Sequence, residues 1–153
     1  MATLLERPPF SYRDDPEVPD FDDGGPIAFM DGDCALCTGG ARIIARLDRQ
    51  RAFRICPIGT PLGTAVVRHY GLAPEDPETW LFLEDGVAVS GMEAIIRIGE
   101  RLGGTGRIAS VMRVLPRPVR EWIYRRIARN RRRFGRSDIC AAPDPELRAR
   151  LLV

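Results

Sequence analysis

The chain has 153 residues, 44% of them hydrophobic, and a formal net charge of +2. That length and apolar content support one compact domain with a substantial core and exclude a disordered chain. No apolar run approaches the roughly 18 residues of a membrane-spanning helix, and the opening Met1-Ala-Thr-Leu-Leu-Glu-Arg-Pro-Pro9 lacks the basic and apolar regions of a secretory signal, so a cytoplasmic setting is expected.

Residues 1–25 read as an acidic, Pro-rich arm with little regular structure. Residues 1–33 hold nine acids against two arginines, whereas residues 97–136 hold thirteen arginines against two glutamates. This asymmetry predicts that the arm lies across the basic surface of its own or a second chain. A domain over 26–140 and a loosely held tail over 141–153 complete the organisation. Residues 26–30 form a strand, followed by a helix over 34–49 with Cys37, Ala41, Ile44 and Leu47 on one side. Residues 52–56 give a second strand, with Phe53 and Ile55 on one face. A helix over 61–70 stops at Gly71. A loop to Pro77 leads into the apolar strand Thr79–Glu84. Asp85-Gly86 then turns it into a paired strand, Val87–Val89. Helices are predicted over 91–102, over 107–115 with Ile108, Val111, Met112 and Leu115 inward, and over 117–133. Gly99-x-x-x-Gly103-Gly-Thr-Gly106 lacks the lysine and the strand-to-helix setting of a phosphate loop, and reads as a helix–helix turn. The order predicts an α/β domain with a mixed sheet flanked by helices and extra C-terminal helices.

The chemistry concentrates in Asp31-Gly-Asp-Cys34-Ala-Leu-Cys37, a Cys-x-x-Cys between the first strand and the first helix. Free N–H groups and a partial positive charge at a helix N-terminus stabilise a thiolate there. Thiol–disulfide exchange needs an attacking thiolate and a second thiol to resolve the mixed disulfide. Cys34 is the expected attacker. Cys37, a turn deeper and less exposed, is the expected resolving thiol. Asp31 is placed to accept the Cys37 proton or to tune its pKa, and Asp33 suits a helix N-cap. Zinc binding is the competing reading, but Cys56, His69 and Cys140 are isolated and supply no second ligand pair. Inert packing thiols are the third. A Cys-x-x-Cys beside a strand–helix–strand pattern favours a thioredoxin-like redox site needing no metal or organic cofactor.

Cys56 reads as a buried packing thiol, and Cys140 as either a third redox thiol or a bystander. His69 suits the C-terminal end of its helix. In the last helix Trp122, Ile123, Ile127 and Phe134 form an apolar stripe flanked by arginines. It reads either as a core-packing helix with a solvated basic face or as a surface for nucleic acid, anionic membrane or an acidic partner. The second option carries the alternative function, a non-catalytic adaptor with structural or zinc-bound cysteines. Arginines near the dithiol would also lower a cysteine pKa.

The Asp31-x-x-Cys34-x-x-Cys37 motif resembles the DCC family of thiol–disulfide oxidoreductases, whose name comes from that Asp, Cys, Cys triplet. The likeness continues through Ser90, Leu115-Pro-Arg-Pro-Val-Arg120, Tyr124, Ala128-Arg-Asn-Arg131 and Phe134-Gly-Arg136-x-Asp138-x-Cys140, covering about residues 26–140. The resemblance implies a thioredoxin-like fold, a redox-active Cys34–Cys37 disulfide, and a protein or small-molecule thiol or disulfide as substrate.

Overall fold

The computed structural model describes residues 7–76, 79–139, 141 and 144–152. Pro77 and Cys140, both singled out in the sequence, lie outside them. Four strands form one mixed sheet in the order β2-β1-β3-β4: β1 Ile27–Met30, β2 Arg54–Pro57, β3 Leu81–Glu84 and β4 Val87–Ser90. β1 runs parallel to β2 and antiparallel to β3, which in turn pairs antiparallel with β4. Helices α1 Ala35–Leu47, α2 Pro61–His69, α3 Gly91–Leu102, α4 Arg117–Asn130 and α5 Pro145–Arg148 surround it. This is the predicted mixed α/β architecture, consistent with a thioredoxin-like fold.

The strands are apolar on both faces because the sheet is covered on both. Alternate residues divide between two clusters. Ala28, Met30, Phe53, Ile55, Phe82 and Val89 pack with α1, α3 and the C-terminal segment. Ile27, Phe29, Cys56, Leu81, Leu83 and Ala88 pack with α2 and the N-terminal arm. Phe53 and Ile55 share a face, as their spacing requires. Each fully buried large apolar side chain contributes about 1.5–3 kcal/mol relative to exposure.

Both chain ends depart from expectation. The described part of the acidic arm, residues 7–25, packs on the α2 side of the sheet rather than along the arginine-rich helix of its own chain. Tyr12 is fully buried in the cluster around α2. The Phe10 N–H donates to the Gly86 carbonyl of the β3–β4 turn at 3.0 Å. His69, the last residue of α2, contacts Asp15 Oδ2 at 2.6 Å and Ser11 Oγ at 2.8 Å, and so ties the arm down. The Phe10 and Phe21 side chains pack against the same cluster as Tyr12, so apolar burial seats this part of the arm. The C-terminal segment is likewise integral. Leu147 is completely buried, and the Ile55 N–H donates to the Arg150 carbonyl at 2.8 Å. The Leu152 N–H donates to the Ile55 carbonyl at 2.8 Å, so the segment extends the sheet beyond β2.

The helical half also differs in detail. Residues Gly104–Val114 form a long 3-10 run with no buried residue; Ile108 and Val111 are exposed rather than inward. Gly99 and Gly106 explain the close approach of this run to α3. A Cβ on Gly99 would collide with the Gly106 carbonyl and the Ala109 side chain, and one on Gly106 would meet the Gly99 carbonyl at 2.8 Å. The glycine motif is therefore a packing turn, as read. In α4 the buried face is Glu121, Tyr124 and Ala128, and Tyr124 and Ala128 pack with Met92 and Ile96 of α3. Trp122, Ile127 and Phe134 of the predicted stripe are exposed.

Candidate active site

β1 ends at Met30, and the chain turns sharply through Asp31-Gly32-Asp33 into α1. The Asp33 N–H donates to Asp31 Oδ1 at 2.8 Å, an Asx turn that closes the loop. Gly32 sits where a Cβ would press on Pro57 at 3.2 Å and Ile139 at 3.3 Å, which accounts for glycine there. Cys34, not Asp33, is the N-cap of α1: it has extended backbone angles, and its Sγ accepts the Cys37 N–H at 3.4 Å. Asp33 lies one residue ahead of the cap, because α1 begins at Ala35. A sulfur as the cap faces the free N–H groups of the first turn directly, the setting that favours a thiolate.

Residues 135–139 form a strap along the same loop. The Ala35 N–H donates to the Gly135 carbonyl at 3.3 Å. The Ser137 N–H donates to Asp33 O at 3.1 Å, and the Ile139 N–H to Gly32 O at 2.8 Å. Cys34 and Arg136 form an isolated antiparallel bridge. With this strap in place Cys34 is recessed, at 6% exposure, while Cys37 is half-buried. That reverses the expected order of exposure, because the strap covers the first cysteine and not the second.

The two thiols open onto different surroundings. Cys34 lies in a polar cleft of about 750 Å³ with Asp31, Arg68, Arg131, Arg132 and Arg136. Cys37 lines an apolar groove of about 270 Å³ with Leu36, Trp80, Met92, Tyr124 and Ile127. Burial pushes the Cys37 thiol up to about 12, reinforced by its hydrogen bond to Cys34 and by the charge there, with Arg131 acting in the opposite direction. Cys37 is therefore the protonated partner at neutral pH.

Arg131 is the residue that the sequence did not single out as part of the site. It follows α4, and its side chain is only 12% exposed. Its Nη1 donates to Asp31 Oδ2 at 2.6 Å and lies 3.9 Å from Cys37 Sγ. Burial opposes the Arg131 charge, but Asp31, Cys37 and Cys34 outweigh it and hold the group protonated. Asp31 is thus brought to Cys37 through a guanidinium. The available signal was the Ala128-Arg-Asn-Arg131 match, which helical periodicity had assigned to a solvated face.

The remaining candidates stay apart from the dithiol. Cys56 is fully buried in the sheet, with its Sγ 3.5 Å from Thr60 Oγ1, and packs as a small hydrophobe. His69 serves the arm. Among the described residues, no three His, Cys, Asp or Glu side chains gather into a metal-ligand set.

The DCC1-like thiol-disulfide oxidoreductase family profile matches residues 28–137, from β1 through the strap. The chain belongs to this family. Among curated proteins, the DCC relatives include the uncharacterized protein YuxK of Bacillus subtilis (strain 168), 28% identical over 82% of this chain and 93% of its own. A chloroplastic DCC family protein of Arabidopsis thaliana is 31% identical over 78% of this chain and 70% of its own. No solved structure matches the chain significantly. Among the described residues, no helix of this DCC protein is long and apolar enough to cross a membrane.

Proposed function

We propose that this DCC protein is a thiol–disulfide oxidoreductase, acting in a reducing, cytoplasmic setting, with Cys34 as nucleophile and Cys37 as resolving thiol. The observation that carries this reading is Cys34 Sγ in the N-cap position of α1, with Cys37 N–H donated to it at 3.4 Å. The Cys34 thiolate attacks a substrate disulfide, forming a mixed disulfide and releasing one thiolate, which takes up a proton. Cys37 then loses its proton and attacks Cys34 Sγ. This closes the Cys34–Cys37 disulfide and releases the second thiol. The protein gives up two electrons, and both go to the substrate sulfurs.

The second step needs an ionised Cys37, and the mixed disulfide itself assists. With Cys34 bonded to substrate, its charge no longer holds the Cys37 thiol up. Burial remains, opposed by Arg131. Asp31 therefore acts in this proposal as the tuner and holder of Arg131, the second of the two roles its position allowed. Because the Cys37 thiol is raised, its reactive fraction falls below the folded-state pKa and grows with pH. The resolving phase is thus expected to accelerate between pH 6 and 9, by up to about tenfold per unit. Arg131→Met should slow that phase about tenfold at pH 7 while leaving the pH trend in place. Stopped-flow release of the two thiols from a model disulfide measures both phases. A resolving phase indifferent to pH and to Arg131→Met would contradict this assignment.

A further inference from the structure

The cleft above Cys34 carries more information than the dithiol does. Its lining sets four arginines, Arg68, Arg131, Arg132 and Arg136, against Asp31, Asp33 and Glu75. Two of the acids are already engaged: Asp31 with Arg131 at 2.6 Å, and Glu75 with Arg68 at 4.0 Å. Arg132 and Arg136 are exposed and make no ion pair among the described residues. Arg131 Nε is buried on the same wall and has no hydrogen-bond partner. The cleft thus presents unassigned guanidinium donors beside the expected nucleophile, and guanidinium groups pair with carboxylates in a bidentate manner.

Shape adds a second constraint. Cys34 is recessed under the 135–139 strap at 6% exposure. A folded protein presenting a disulfide on a convex surface does not easily reach such a sulfur. A cleft of about 750 Å³ lies within the roughly 300–1,000 Å³ range of small-molecule sites.

We propose that the substrate is a low-molecular-weight disulfide bearing carboxylates, held by Arg132 and Arg136 so that one sulfur faces Cys34. This deepens the thiol–disulfide reading and rests on it. The electron balance is that of the exchange above: one anionic disulfide is reduced to two anionic thiols as Cys34 and Cys37 become a disulfide. Carboxylates on both halves of the substrate meet Arg132 and Arg136 without breaking the Asp31–Arg131 pair.

The test uses the full-length, pre-reduced protein in single turnover against glutathione disulfide, neutral hydroxyethyl disulfide, cationic cystamine and insulin as a folded disulfide. Small-disulfide rates are normalised to each probe's reaction with free dithiothreitol. Glutathione disulfide is expected to be preferred over the neutral disulfide by about tenfold or more at low salt, with cystamine slowest. The preference should shrink in high salt and fall to near one in an Arg132→Gln/Arg136→Gln double variant, whose exposed side chains leave the fold intact. Equal normalised rates, a preference for cystamine, faster reduction of insulin, or a preference that survives the double substitution would each overturn the substrate class. In all four cases the Cys34–Cys37 disulfide still forms. Absence of that disulfide with every probe would instead bring down the oxidoreductase reading, and this inference with it.

Discussion

Cys34→Ser is expected to abolish disulfide reduction by this protein, with a loss on the order of a thousandfold or more, as for removal of a covalent nucleophile elsewhere. Cys37→Ser should behave differently. The attacking sulfur, the helix N-terminus and the cleft remain, but the mixed disulfide can no longer be resolved. It should accumulate at Cys34, with one equivalent of thiol released per chain instead of two. Intact-mass spectrometry after mixing with glutathione disulfide reads both outcomes. The asymmetry follows from the geometry: Cys34 Sγ is the N-cap, whereas Cys37 is the thiol that burial pushes up to about 12. Trapping on Cys37 in the Cys34→Ser variant, with the same yield as on Cys34 in its counterpart, would contradict that division of labour. A non-catalytic adaptor would show neither behaviour.

The second large effect concerns stability. Arg150 and Asp48 form an ion pair at 3.1 Å, with both side chains only 5% exposed. Arg150 Nη2 also donates to the Asp48 carbonyl at 3.1 Å, and Nη1 to the Glu146 carbonyl at 2.7 Å. Asp48 accepts the Ala52 N–H at 3.1 Å and the Phe53 N–H at 3.0 Å, fixing the turn from α1 into β2. Arg150→Met leaves a buried carboxylate without its counter-ion. The expected cost is about 3–5 kcal/mol, or roughly 10 °C in the unfolding midpoint for a chain of this size. Adding Asp48→Asn should recover part of that loss, because the uncompensated charge is then gone. Calorimetry on the two variants decides it. A loss below about 1 kcal/mol for Arg150→Met would mean that the C-terminal segment is not the structural clamp described here.

That clamp was illegible in the sequence for a physical reason. Leu147, Arg150, Leu151 and Leu152 lie in a short segment without a strong period, and their burial depends on meeting the open edge of β2. The seat of the arm was hidden on similar grounds. Its charge points to the basic surface of its own or a second chain, while in the described part Phe10, Tyr12 and Phe21 pack into the cluster around α2. Where local pattern and tertiary contact agree, the reading succeeded. Turn residues at Asp85-Gly86 and the alternation of Phe53 and Ile55 placed the strands, and the Cys-x-x-Cys position placed the dithiol at the start of α1. The closeness of Cys34 and Cys37 at the start of α1, with Asp31 in the turn before it, was legible in the motif. Arg131 was not, because it lies far away in sequence and helical periodicity cannot tell an arginine facing solvent from one turned onto a thiol. The cap differs by one residue: Asp33 has the better capping side chain, but α1 begins at Ala35 and the cap position falls to Cys34.

The most direct test of the account is a redox titration of the Cys34/Cys37 pair in a glutathione series, followed by mass spectrometry, with Cys56 and Cys140 changed to Ser. A reversible two-electron transition is expected, with a midpoint between about −120 and −270 mV, the span of catalytic dithiols. Failure to form the Cys34–Cys37 disulfide, or zinc co-purifying at close to one ion per chain, would contradict it.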